Sequence, residues 1–301
     1  MSPDGARMPL RILCTDDPWV KRSAEAVAAA TGGTVITATA ASLATSDADL
    51  LVVGGGDITH SLDQQYVRAA VLERQDPREA LVTRQGESLA DVARSKTATI
   101  LVVSPTTRVQ VVKRAPDVTV LPVVSSEAAF NAVMHGEASA LIAPIAWLRV
   151  NSHAAPALVV RPLEHGELLH PVGCGLASVF CRRDDARARK AVAGLDNTAA
   201  RSALTAEREL LFHVTGDSPD TVFAVAGHAE TRLTASGDER LVLLGLLMTS
   251  TGYGPYRASH EVGAVDATTL GRAMAATLLA QYQSANDRVA TQNHTAAHTG
   301  H

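Results

Sequence analysis

The residues best suited to chemistry stand in one short stretch, Asp49–Asp57, which reads Asp-Leu-Leu-Val-Val-Gly-Gly-Gly-Asp. Four apolar residues, two of them β-branched, predict a short buried strand. Gly54, Gly55 and Gly56 then bring bare backbone close to whatever lies beyond the strand end, and Asp57 sets a carboxylate there. In open α/β sheets ligands bind at that edge, and a carboxylate held there can move protons or stabilise a cation. The competing reading is that the glycines make only a tight turn and that Asp57 caps the next segment. Spacing alone leaves the two readings even. The stretch is not a phosphate loop, because it has neither G-x-G-x-x-G nor a following Lys-Ser/Thr.

Other reactive side chains are sparse. The three cysteines, Cys14, Cys174 and Cys181, form no C-x-x-C pair, so neither a disulfide nor a zinc site is expected from them. His294, His298 and His301 lie in a polar tail without fixed geometry, and no metal site is assigned to it. The 301 residues are enough for two or three compact units, and 46% are hydrophobic, so a sizeable core can form. Aromatics are only 3%, which makes that core aliphatic. The net charge of −4, with no basic stripe, argues against nucleic acid as a partner. No apolar run approaches the ~20 residues of a membrane span. Met1–Pro9 has no apolar signal core, which leads us to expect a cytoplasmic protein. The oligomeric state is left open.

The elements that must position Asp57 follow a β-α-β-α-β order. Leu10–Thr15 reads as a strand, Asp16-Asp17-Pro18 as a helix start, Trp19–Thr31 as a helix ended by Gly32-Gly33, and Thr34–Ala38 and Leu50–Val53 as strands. This order argues for a mostly parallel sheet with right-handed crossovers. Tyr66–Leu72 reads as a further strand and Asp76-Pro77-Arg78 as a turn and hinge. A second α/β unit follows from Ala80: strand Thr99–Val103, a helix opened by Ser104-Pro105 and running to Arg114, strand Val118–Val123, helix Ser125–His135, strand Ala138–Ala143 and a short helix Pro144–Val150. Asn151–His170 reads as a polar, proline-punctuated connection, and Gly173–Phe180 as a returning strand. Helices over Asp184–Gly194 and Ala199–Val214 come next. Val222–Ala226, Leu241–Met248 and Tyr256–Glu261 then read as antiparallel strands, closed by an amphipathic helix Asp266–Ala285 with Leu270, Ala273, Met274, Thr277 and Leu278 on its apolar face. The expected class is α/β: two lobes around a cleft plus a C-terminal α+β domain. The expected domains are 9–78 with 170–194, 79–169, and 195–286, followed by a disordered tail, 287–301.

Five segments carry a family resemblance. Leu72–Val82 resembles the E-R-x-D-P-R-D-A-L-V segment of hydroxymethylbilane synthase (porphobilinogen deaminase), and Asp49–Asp57 aligns without gaps on that family's D-L-A-V-H-S-L-K-D. Val172–Asp185 is similar to V-G-Q-G-A-L-x-I-x-C-R-x-D-D. Leu195–Leu211, with Thr205-Ala206-Glu207-Arg208, is similar to L-D-D-x-x-T-R-x-x-x-x-A-E-R-A-F-L. Ala224–Glu230 is similar to V-P-V-G-A-H-A-E. The resemblance runs in order from Leu10 to Ala285 and implies two periplasmic-binding-protein-like lobes. It also implies assembly of a linear tetrapyrrole from four porphobilinogens, with ammonia lost at each step. The growing chain would sit on a dipyrromethane primer held by a cysteine thioether, with an aspartate assisting and arginines and a lysine clamping the carboxylates.

Residue by residue, the match is partial. The aspartate is Asp57. One of the tandem arginines is Arg108, and its neighbour is Val109. The family's lysine before the aspartate is Gly56, the serine two before that is Gly54, and the T-R-G-S segment is Thr15-Asp16-Asp17-Pro18. Thr39–Asp47 is too short for the family's G-D-R and K-G-L-F-T-K-E-L-E segment, and the segment from Val124-Ser125-Ser126 lacks its arginines. The primer cysteine's region, Gly216–Gly227, has no cysteine, with Asp217 or Ser218 near its place. Cys174 stands at the glutamine of G-Q-G-A; a buried core thiol is the commoner role for such a residue, and a relocated nucleophile is the other. Cys181 reads as structural and Cys14 as buried. A charge-assisted contact is worth about 1.5–3 kcal/mol, so losing several disfavours holding a growing polycarboxylate. A bound dipyrromethane is therefore not expected. The first reading is a repurposed enzyme acting on a small pyrrole, amine or carboxylate in the interdomain cleft. In it Asp57 is the acid/base, and Arg108, Ser104, Thr106, Thr15, Asp16, Gly54, Gly55, Gly56, Gly173 and Cys174 surround the ligand. The second is an inactive relative that binds a small molecule or a partner protein. The third is a true synthase with an unusual anchor.

Overall fold

A computed structural model describes residues 8–38, 47–123, 125–151, 157–216, 223–249, 253–263 and 266–298. The expected shortening at Thr39–Asp47 falls almost wholly outside them, as do Asp217 and Ser218. Contacts divide the chain into two compact units. The first is Met1–Pro77, Pro144–Pro156 and Gly173–Arg201, and the second is Arg78–Ala143, Ala157–Val172 and Ser202–His301. The boundary at Pro77 and Arg78 falls in the expected turn, where proline restricts the residue before it and interrupts pairing.

The first unit is built on a five-stranded sheet of order β2-β1-β3-β10-β4, with β1 Arg11–Cys14, β2 Thr34–Thr37, β3 Leu50–Gly54, β4 Val67–Val71 and β10 Ala177–Cys181. Strands β1, β2 and β3 are parallel, and β10 runs antiparallel to both β3 and β4. Every residue of β3 and β10 is buried, as expected of central strands covered on both faces. Helix α1, Pro18–Thr31, starts where Asp17 accepts from the backbone N–H groups of Trp19 and Val20, each at 2.9 Å. It stops at Gly32, whose φ of 67° is a left-handed cap. Its face of Val20, Ala24 and Val27 joins Ile12, Leu50, Val52 and Val179 in one aliphatic core. A short helix, α2 His60–Gln65, leads into β4.

The second unit contains two sheets. One has the order β7-β6-β8-β5-β9, with β5 Glu79–Thr83, β6 Thr99–Val102, β7 Thr119–Pro122, β8 Ala140–Pro144 and β9 Val159–Pro162. Here β6 is parallel to β7 and β8, so the 2-1-3 order of the first sheet recurs. Helices α3, Leu89–Ala93, and α4, Pro105–Arg114, bring Leu89, Val92 and Val111 into one core with Leu81, Ile100 and Ile142. Two corrections arise. Strand β9 lies inside the stretch read as a plain connection and pairs antiparallel with β5; its four residues, ending in a proline, are too few to show a period. The returning strand β10 begins at Ala177 rather than Gly173, because Gly173 and Gly175 have φ of 78° and 73° and make a turn.

The other sheet is antiparallel, with β11 Phe223–Leu233, β12 Glu239–Thr249 and β13 Tyr256–Gly263. Leu243, Leu247, Leu270, Met274 and Leu278 form its core. Two of the resembling segments meet here: the buried Glu207 accepts from Ala229 N–H at 2.8 Å. Thus the expected α+β domain has its own sheet but groups with the second unit. Residues 145–151, expected in the second lobe, form a helix belonging to the first. The expected disordered tail is also corrected: the last helix runs Ala267–His298. Among the described residues no helix is long and apolar enough to cross a membrane.

Candidate functional site

Strand β3 leads into a single 3₁₀ turn, Gly55–Asp57. The next helix, α2, is capped by Thr59, which accepts from Leu62 N–H at 3.3 Å. The capping reading of Asp57 therefore falls. The turn is locked to the loop before β10 by backbone alone. Gly55 N–H donates to Leu176 O at 2.7 Å, and Leu176 N–H donates to Gly173 O at 3.1 Å. A Cβ on Gly55 would lie 2.5 Å from Gly173 O, and one on Gly173 would lie 2.3 Å from Gly55 C. Both positions exclude any side chain. We expect Gly173→Ala to cost at least about 2–3 kcal/mol, combining a left-handed φ with a backbone clash; chemical denaturation checks this, and an unchanged midpoint would refute the interlock.

Gly54 has a different duty. A Cβ there would sit 2.9 Å from Asp57 Oδ2 and 3.5 Å from the Trp19 ring. The missing side chain lets the Asp57 carboxylate fold back over the strand end beside Trp19. Asp57 keeps an exposed surface, yet the protein packed around the carboxylate desolvates it and the nearby Asp17 adds like charge. Both push its pKa up from the ordinary aspartate value. Asp57 therefore holds a proton more readily than a free aspartate, as a general acid must.

The remaining candidates named from the sequence divide between the units. In the first unit Thr15 is half-buried and Asp16 exposed, while Asp17 is the helix cap. Gly56 is exposed beside Asp57. Cys174 is half-buried, and its carbonyl accepts two bonds from Arg74, at 3.1 Å from Nε and 2.9 Å from Nη2. In the second unit Ser104 caps helix α4, accepting from Thr106 N–H at 3.2 Å. Arg108 is exposed, with one long bond of 3.5 Å from Nε to Val120 O. Its neighbour Val109 packs against Leu169, Ala226 and Met248, so an apolar residue suits that face of α4.

Sequence reasoning missed the cavity next to Trp19. It has a volume of about 680 Å³ and lies within the first unit, lined by Trp19, Arg22, Leu72, Glu73, Ala177 and Arg149, among others. Asp57 is not in its lining; Trp19 borders both. Arg22 and Arg149 offer two guanidiniums for carboxylates. They sit on separate helices far apart in sequence, and no local motif joins them.

Residues 21–190 match the family model described as porphobilinogen deaminase, dipyromethane cofactor binding domain. The chain belongs to the porphobilinogen deaminase family. It is 31% identical over 241 residues to the porphobilinogen deaminase of Nocardia farcinica, covering 79% of this chain and 68% of that one. It is 32% identical over 235 residues to that of a Roseiflexus species, covering 77% and 73%. A likeness to a solved ancestral cationic amino acid solute binding protein reaches a TM-score of 0.43 at 17% identity, over 62% of this chain and 87% of that one.

The family's dipyrromethane needs a reactive, reachable thiol. Cys14 and Cys181 are 0% and 1% exposed, and burial pushes both thiols up in pKa, as expected of core cysteines. The positions matched to family cations in the resemblance are Gly56 and Asp16, and the charged group acting on Asp57 is Asp17. Two of the three thiols are thus closed to the group, and the charge beside Asp57 has the wrong sign for its carboxylates. Cys14 and Cys181 do not fit the primer, and the half-buried Cys174 is the remaining thiol.

Proposed function

We propose that this chain is a divergent, repurposed member of the family that carries out one deamination or C–N/C–C bond-forming step on a small pyrrole, amine or carboxylate, without a primer. The observation carrying this reading is the Asp57 carboxylate folded onto a side-chain-free strand end with its proton affinity raised. In the protonated form Asp57 gives its proton to a departing amine, which leaves as ammonia with the bonding electron pair. The resulting carboxylate then faces the cationic fragment and stabilises it. When a nucleophile adds and loses a proton, Asp57 takes that proton and is reset. Asp17, held at the start of α1, supports the reading by favouring the protonated state and by suiting a substrate that carries an amine.

Arg22 and Arg149 are proposed to bind the substrate's carboxylates. The test pairs two readouts over porphobilinogen and a panel of small amines and amino acids: the ligand-induced melting shift, and ammonia released. A shift accompanied by ammonia supports the proposal. A shift with no product for any compound would make the chain a binding module instead.

A further inference from the structure

Away from Asp57, three histidines converge within the second unit. His165 and His170 lie between β9 and the turn at Gly173, and His228 lies on β11. One ring nitrogen from each lies within 4.8 Å of the others. His170 is 0% and His228 5% exposed, and His165 is half-buried. Two imidazoles enclosed this closely need a reason.

The hydrogen bonds fix which lone pairs point inward. His170 Nδ1 lies 2.9 Å from Pro171 O. A carbonyl only accepts, so Nδ1 carries the hydrogen and Nε2 presents its lone pair. That Nε2 is 3.0 Å from His228 Nδ1. On its far side His228 Nε2 is 3.5 Å from Glu230 Oε2, and Glu230 is held in turn by Arg232 Nε at 2.6 Å. Each of the two buried rings therefore has its outer nitrogen against an oxygen acceptor and its inner nitrogen against the other ring. Metal-ligating histidines are oriented in this way by carbonyls and carboxylates.

The backbone is pre-organised as well. Gln110 brackets Leu169, donating from Nε2 to its carbonyl at 2.7 Å and accepting from its N–H at 3.1 Å. Arg114 Nη2 donates to Gly166 O at 2.8 Å, and Gly227 N–H donates to His170 O at 3.2 Å. The segment from Gly166 to His170 is thus pinned to both α4 and β11. His165 stacks on His228 with centroids 4.2 Å apart.

We propose that His165, His170 and His228 bind a divalent transition-metal ion of the zinc class. Two zinc–nitrogen bonds of about 2.1 Å at the tetrahedral angle put the nitrogens about 3.4 Å apart. The His170–His228 pair needs to open by only a few tenths of an ångström, and His165 swings inward. The ion displaces the hydrogen from the 3.0 Å contact, and His228 then keeps its ring hydrogen on Nε2, facing Glu230. Water completes the tetrahedron. Such an ion would tie the Gly166–His170 segment to β11 and stabilise the second unit.

The test uses the full chain with His294, His298 and His301 changed to alanine, which removes competing tail histidines. Zinc binding is measured by equilibrium dialysis, and Co²⁺ by its visible spectrum. One ion per chain with tetrahedral cobalt bands is expected. The half-buried His165→Ala should lose the site while retaining the fold by circular dichroism, and Glu230→Gln should weaken binding about 10- to 100-fold. No stoichiometric zinc in the tail-altered chain, or binding unchanged in His165→Ala, would overturn the proposal.

Discussion

Asp57→Asn is expected to lower turnover by about 10²- to 10⁴-fold, the range typical of removing a positioned general acid/base, with substrate binding retained. Asparagine matches the shape beside Gly54 and Trp19 but cannot release or take up the proton. Stability should move the other way. Burial and Asp17 raise the folded-state pKa of Asp57, so its contribution is fully present below the unfolded-state value and lost as pH rises through the folded-state one. The asparagine variant lacks that loss and should melt at the same temperature as the parent, or higher, in mildly alkaline buffer. Steady-state kinetics and a melting curve on one preparation separate this from general damage. Full activity in the variant would remove Asp57 from the mechanism.

Glu79→Gln should change the pH dependence of folding more than any other single substitution considered. Glu79 is 0% exposed. Its two carboxyl oxygens lie 2.6 and 2.7 Å from the Thr107 hydroxyl. A hydroxyl has one hydrogen, so two such contacts fit a protonated carboxyl that both gives and receives a bond. Burial raises the pKa from the ordinary 4.5 to about 7, opposed only by Thr107. The sign follows directly: below the ordinary value both folded and unfolded states hold the proton. Between there and about 7 only the folded state holds it, and stability falls by about 1.4 kcal/mol per pH unit, roughly 3 kcal/mol in all. Glutamine keeps both bonds to Thr107 and carries no charge. The variant should match the parent near pH 4.5 and exceed it by roughly 3 kcal/mol at about pH 8. Chemical denaturation across that range checks this, and a difference independent of pH would refute it.

What the sequence showed depended on how local each feature is. The β3 strand and its glycines are contiguous, and the buried β3, its 3₁₀ turn and Asp57 follow from them. Helix α1 was legible because its aspartate, proline and glycine punctuation is local too. Strand β9 was hidden because four residues ending in a proline carry no usable period and are held by pairing with β5, far earlier in the chain. The role of Gly173 was half legible: it stood among the candidate site residues, but the backbone interlock with Gly55 exists only once β3 and β10 lie side by side. Arg22 and Arg149 were missed for the same reason, being brought together by helix packing. The histidine cluster left one faint signal, His165 and His170 shortly before Pro171 and His228 inside the Ala224–Glu230 segment. No spacing rule joins them, because the contact is made by a loop lying along a sheet edge.

Intact mass spectrometry of the purified chain, before and after incubation with porphobilinogen, addresses primer-independent chemistry most directly. The expected result is one unmodified mass in both samples. A dipyrromethane already attached, or a ladder of added pyrrole units after incubation, would contradict it and would turn attention to Cys174 as the anchor.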